Sequence, residues 1–307
     1  MEHITDGRLS DNSRKLFNAK LAQYMAFMTE GNRDIGYIID NPGIAVKTLL
    51  EQQTIAQTAT NRHLFYSAIV AYIKYTADGQ RRAERIKRKW IEIQKANWEE
   101  RRLLDLGHEL TEKEKEITAA VKWKDVVAKR DTLVTGSNER LLLALYSYIP
   151  PVRADYFEVR INPPASIIKD KTKNYIQLGA TGAESVLSIR DFKTATTYKE
   201  IKHRLPQELY DEIVASLARL PRKYLFVMPS DPKKPYDRGG FSKWANKTLF
   251  ELFGVHLTLT SLRHIYISTL DFTRLRALNL DRIARAMGHG MAMQKEYQWM
   301  DLPRLDA

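Results

Sequence analysis

LTSLRHIYISTLDFTRLRALNLDRIARAMGHGMAMQKEYQWMD, residues 259–301, is the stretch that decides how the chain reads. Leu280, Ile283, Ala284 and Met287 fall at i, i+3, i+4 and i+7, which is one apolar face of a short helix. Gly288 and Gly290 follow the last periodic residue and stop that helix. This predicts His289 on a tight, exposed corner, with Tyr297 on a short segment behind it. Arg263 lies in a separate helix whose apolar positions, Leu262, Ile265, Tyr266 and Leu270, turn it toward the same core. An arginine, a histidine and a tyrosine presented from neighbouring helix ends are a set of groups suited to surround one phosphate.

Upstream, Asn138 is expected to cap a helix that Pro150-Pro151 ends. Arg153 then stands just after the break, at the start of the next expected helix. The plain alternatives for it are a surface arginine or a buried ion pair with Asp155. Residues 174–178 and 185–190 read as strands separated by the turn-prone GATG, with a third strand entered through a loop. Lys193, in Lys193-Thr194, sits in that loop; Lys199 and Lys202 are nearby, and a lysine in a basic chain is ordinarily just solvated. Helices are expected around 207–219 and 240–253. DPKKPYDRGG, at 231–240, reads as a basic Pro/Gly loop.

Arg263-His264, then Met287-Gly288-His289, then Tyr297 resemble, in order, the carboxy-terminal boxes of the tyrosine recombinases, the phage-integrase family. Arg153 resembles the family's first arginine, and Lys193 its strand-loop lysine. The resemblance covers roughly 35–302 and is densest over 145–300. It implies a two-domain architecture, mostly α with a small antiparallel β-sheet in the C-terminal domain. It also implies a site-specific DNA recombinase or integrase, similar to those of large DNA viruses or their mobile elements. Such an enzyme cleaves and rejoins double-stranded DNA through a 3′-phosphotyrosyl intermediate with neither metal nor cofactor, as a homotetramer on paired sites. Tyr297 would be the nucleophile and Arg153 and Arg263 the clamp on the non-bridging oxygens. Lys193 would be the general acid, and His289 would hold a phosphate oxygen. Four features depart from the family pattern. Thr260 stands where a histidine is usual, Pro151-Val152 replaces Gly-Leu, Asp155 follows the arginine by two places where three is usual, and His289 and Tyr297 are one residue closer than is commonest. A type IB topoisomerase would use the same residues. A DNA-binding protein with weakened catalysis would account for Thr260, and a basic helical protein with chance motifs is the bland alternative.

The whole chain agrees with a polyanionic partner. Its 307 residues carry 49 Lys+Arg against 37 Asp+Glu, a formal charge of +12, which favours nucleic acid but equally serves solubility. The chain contains no cysteine, so disulfides, thiolate zinc sites and cysteine nucleophiles are excluded. Its seven histidines show no metal-ligand spacing. With no apolar run long enough for a membrane span and no apolar signal core, an intracellular protein is expected, cytoplasmic or nuclear according to host. Residues 1–34 read as an N-terminal extension, 35–110 as a helical core-binding domain ending in a basic linker helix, and 111–307 as the catalytic domain. In the first half, a helix over 21–28, one after Asn41-Pro42 and one from about Thr58 to Asp78-Gly79 are expected. The stretch 81–102 alternates an apolar stripe of Ile86, Trp90 and Ile93 with heavy charge. Its Arg81, Arg82, Arg85, Lys87, Arg88 and Lys89 are the candidate DNA-backbone contacts, against the bland reading of a solvated helix.

Overall fold

The computed structural model describes residues 2–52, 54–106 and 110–296. It divides into two compact units, Met1–His108 and Glu109–Ala307.

The first unit is helical throughout. Helix α1 (Asp11–Phe27) starts where the Ser10 side chain accepts a hydrogen bond from Ser13 N–H, which satisfies one donor the first turn leaves open. Helix α2 (Ile35–Asp40) is capped in the same way by Asp34. Helix α3 (Pro42–Leu50) has proline in its first turn. Asn41, expected to cap it, makes no such bond; its amide instead donates to Tyr37 O at 2.9 Å and closes α2. Helix α4 (Ala59–Tyr75) begins at Thr58 and stops three residues short of the expected Asp78-Gly79. There the Thr76 hydroxyl donates to Tyr72 O and accepts from Gly79 N–H, which opens the short α5 (Ala77–Gln80). Gly79 is required at this corner, since a Cβ would lie 2.4 Å from Tyr72 O. Helix α6 (Glu84–Leu106) carries the charged stretch. Leu21, Tyr24, Ile39, Phe65, Ile69 and Trp90 belong to one buried cluster, and Ile4 packs into it as well. Trp90 is wholly buried, and its indole N–H donates to Ile39 O at 2.8 Å. Its polar edge is therefore satisfied while its rings fill the core.

The second unit begins with α7 (Glu112–Ala120), opened by a reciprocal Thr111–Glu114 capping box. Helices α8 (Trp123–Thr132) and α9 (Asn138–Ser147) follow. Ser137, one residue before the expected Asn138, caps α9. After Pro150-Pro151 no helix resumes: 153–158 is irregular. Tyr156 and Phe157 are drawn into the core, with the Tyr146 and Tyr156 rings edge to face at 5.2 Å. Strand β1 (Arg160–Ile161) leads to α10 (Ala165–Lys169), then β2 (Tyr175–Gln177), β3 (Val186–Ile189), α11 (Ala195–Tyr198) and β4 (Ile201–Arg204). The four strands lie in sequence order. The β2–β3 and β3–β4 pairs are antiparallel, whereas β1 joins β2 in parallel, so the small sheet is mixed. Helix α12 (Gln207–Arg219) follows, then a second, two-stranded sheet of β5 (Val227–Met228) and β6 (Asp231–Pro235). The expected Pro/Gly loop is thus partly a strand. Helices α13 (Arg238–Phe253), α14 (Leu259–Ser268), α15 (Ala277–Ala286) and α16 (Met291–Glu296) complete the unit. Its core draws on α9, β3, β4, α12, α13 and α14. Among the described residues no helix is long and apolar enough to cross a membrane.

Candidate active site

Arg263 projects from the middle of α14 and is fully buried. Its Nη1 donates to Pro151 O at 3.2 Å and to Met287 O at 3.0 Å. One guanidinium therefore ties the break before Arg153 to the end of α15. Nη1 thus braces the two turns that the motifs occupy.

The second of those turns departs from the sequence expectation. His289 is not on an exposed corner; only 2% of it is accessible. Gly288 adopts φ +73°, a left-handed conformation that glycine supplies cheaply, and His289 N–H folds back onto Ala284 O at 3.1 Å. The imidazole is thereby turned inward. Burial, and then the fields of Arg263 and Arg153, push its pKa down to about 3. His289 is thus a neutral ring at any ordinary pH, able to donate one hydrogen bond but adding no charge. Both arginines are thus close enough for their charge to bear on the ring.

Arg153 is half-buried, and its carbonyl accepts a hydrogen bond of 2.5 Å from Tyr146 OH. Asp155 is buried beside it, and the partner that bonds Asp155 is Arg238, with Nη1 2.6 Å from Oδ1. The other arm of Arg238 reaches Asp191 O and Oδ1, both at 3.1 Å, while its guanidinium lies 4.5 Å above the Phe157 ring. Burial raises the Asp155 pKa, opposed by Arg238 and, less strongly, by Arg263 and Arg153. Arg238 thus joins the Arg153 turn to the end of β3. Sequence reasoning missed it, because an arginine just inside a helix start carries no signal beyond its charge.

Lys193 lies between β3 and β4, exposed. Both of its neighbours touch the His289 turn. Thr194 Oγ1 donates to Gly288 O at 2.6 Å, and the Phe192 ring would meet a Cβ on Gly288 at 3.3 Å. The rival lysines are placed differently. Lys199 ends α11 at φ 63° and returns its ammonium to Thr196 O at 2.8 Å, and Lys202 is exposed on β4, opposite Ser188. Beside this segment opens a cleft of about 780 Å³, walled by Lys171, Lys173, Arg190, Asp191, Lys199 and Glu200.

Thr260 is exposed on the first turn of α14, one helical turn ahead of Arg263 and so on a neighbouring position of the same helix. His264 is half-buried. Tyr297 lies outside the described residues. Of the candidate DNA contacts, Arg81, Arg85, Arg88 and Lys89 are exposed. Arg82 is committed to Asp40 at 2.6 Å and Asp78 at 2.9 Å, and Lys87 to Gln80 O and Glu84. Among the described residues no group of His, Asp and Glu is arranged to hold a metal ion.

No family model matches the chain, and no curated protein matches it. Among solved structures, the chain is similar to the crystal structure of XerA recombinase. The two share 13% identity over 94% of each chain, with a TM-score of 0.40.

Proposed function

We propose that the chain is a DNA strand transferase of the tyrosine recombinase type, acting on double-stranded DNA as a homo-oligomer. The observation that carries this reading is Arg263, whose guanidinium braces the Pro151 and Met287 carbonyls together. Through those carbonyls it links the chain just before Arg153 to the chain just before His289. Arg263 and His289 are closed to solvent in the free protein, so DNA engagement has to open this spot; a phosphodiester then meets two arginines that stay charged at any working pH and match non-bridging oxygens with their planar forks. Stabilising the charge that grows on those oxygens is the largest contribution such a site makes. Neutral His289 donates a further hydrogen bond. Tyr297 releases its phenolic proton to solvent water and attacks phosphorus, the bond to the 5′ oxygen breaks, and Lys193 gives that oxygen its proton. The phosphodiester energy is conserved in a phosphotyrosyl bond that a new 5′ hydroxyl can reopen. Thr260, near Arg263 and open to solvent, offers a hydroxyl donor but no base. The basic cleft beside Lys193 suits the DNA backbone leading into the site.

The test is incubation with nicked suicide DNA duplexes in EDTA. A covalent adduct is expected, with DNA on Tyr297 through a 3′ phosphate, absent in Tyr297→Phe although DNA binding persists. Arg153→Ala should lose about 3–4 kcal/mol of transition-state stabilisation, read as slower single-turnover cleavage at saturating enzyme. A wild-type protein that binds these duplexes and never forms the adduct sinks the proposal in favour of a DNA-binding role. Relaxation of supercoiled plasmid lacking any paired site would move the assignment to a type IB topoisomerase.

A further inference from the structure

The segment after β3 meets the His289 turn through side chains that the chemistry above does not use. The Thr194 hydroxyl donates to Gly288 O at 2.6 Å. Tyr198, at the far end of α11, sets its hydroxyl where a Cβ on Gly290 would lie 2.9 Å away. The Phe192 ring and Ile201, on either side of that pair in sequence, close on Gly288 at 3.3 and 3.0 Å from a Cβ placed there. The segment 192–201 is therefore seated on 288–290 at several points. Lys193 lies between two of them.

A lysine ammonium rides on a flexible four-carbon stem, so the position of its proton is set largely by where its backbone is anchored. We infer that Thr194 is a positioning residue, whose hydroxyl clasps the Lys193 segment to the His289 turn and so places the general acid at the leaving oxygen. This rests on the strand-transfer reading. In the step concerned, the Tyr297 hydroxyl loses its proton to solvent water, the bond between its oxygen and phosphorus forms, and the bond between phosphorus and the 5′ oxygen breaks. The proton passes from Lys193 Nζ to that departing oxygen. Displacing a catalytic group by about 1 Å can cost on the order of 100-fold.

The test compares ordinary DNA with a duplex whose bridging 5′ oxygen is sulfur. The leaving group is then a thiol, with a pKa of about 8.5 by analogy with cysteine, and departs without an acid. Thr194→Val keeps the side-chain shape and removes the donor. It should cleave ordinary DNA on the order of 10- to 100-fold more slowly than wild type. On the sulfur substrate it should come within a few-fold, as should Lys193→Ala. Thr194→Ser, which restores the donor, should recover ordinary cleavage. Thr194→Val that is slow on both substrates marks a merely structural role and overturns the proposal, as does Thr194→Val that matches wild type on ordinary DNA. Rescue of Lys199→Ala or Lys202→Ala in place of Lys193→Ala also overturns it, because the clasp then places the wrong residue. Wild type that forms no adduct with either substrate is a different failure, that of the strand-transfer reading itself.

Discussion

His289 shows how far a single residue can depart from its motif. Glycine on both sides argued for an exposed corner, and the sequence carries nothing to say that this corner folds under itself. The inward turn follows from the left-handed Gly288 and the return of His289 N–H to Ala284 O, both set by what packs beneath. Its titration gives a test. In the unfolded chain the ring takes a proton below the ordinary value of 6.5, while in the folded protein it resists down to about 3. The unfolded state thus binds more protons across that window, and stability falls as pH drops from about 6.5 toward 3. One proton corresponds to at most about 1.4 kcal/mol per pH unit. His203 and His63 are shifted in the same direction by burial, so His289→Gln should shallow the acid limb of a urea-midpoint profile without abolishing it. An unchanged limb would mean that His289 is protonated in the folded protein. Arg263, by contrast, was legible: apolar neighbours at helical spacing turned it inward, and it is fully buried.

At the scale of elements, α6 and the residues just before it divide their charges between two uses that composition cannot separate. Arg82 and Lys87 are held by local carboxylates and a carbonyl, whereas Arg85, Arg88 and Lys89 face solvent. Neutralising Arg85, Arg88 and Lys89 together should lower the slope of log K against log salt by about 0.9 for each phosphate that the protein no longer neutralises. Arg82→Gln should leave that slope alone and reduce thermal stability instead. Equal slopes for both variants would return α6 to a solvated face. The amphipathic helices were readable because apolar period and cap residues agree, as at Thr58 and α4. The irregular 153–158 was not, because VRADYFEV suits a helix locally while Tyr156 and Phe157 are claimed by the core. The parallel β1–β2 pair was hidden for a related reason: β1 is two residues long and carries no alternation to read.

At the scale of the whole molecule, the two buried clusters share no residue, and each unit keeps its own core. Trp90→Ala should therefore destabilise the first unit by about 3–5 kcal/mol and lower one calorimetric transition while leaving a second in place. A single transition that shifts as a whole would show that the two cores melt as one. Neither chain length nor the change in character near residue 110 gives the cluster memberships, which needed the folded chain. Arg263 is sealed from solvent while Arg153 is half-buried and Arg85 and Arg88 are open. That gradient has a consequence for chemical reactivity. A dicarbonyl reagent read by peptide mass mapping should mark Arg85 and Arg88 first, Arg153 more slowly and Arg263 last. The unmodified protein thus carries its own graded footprint, on which a bound duplex would appear as the arginines it shields.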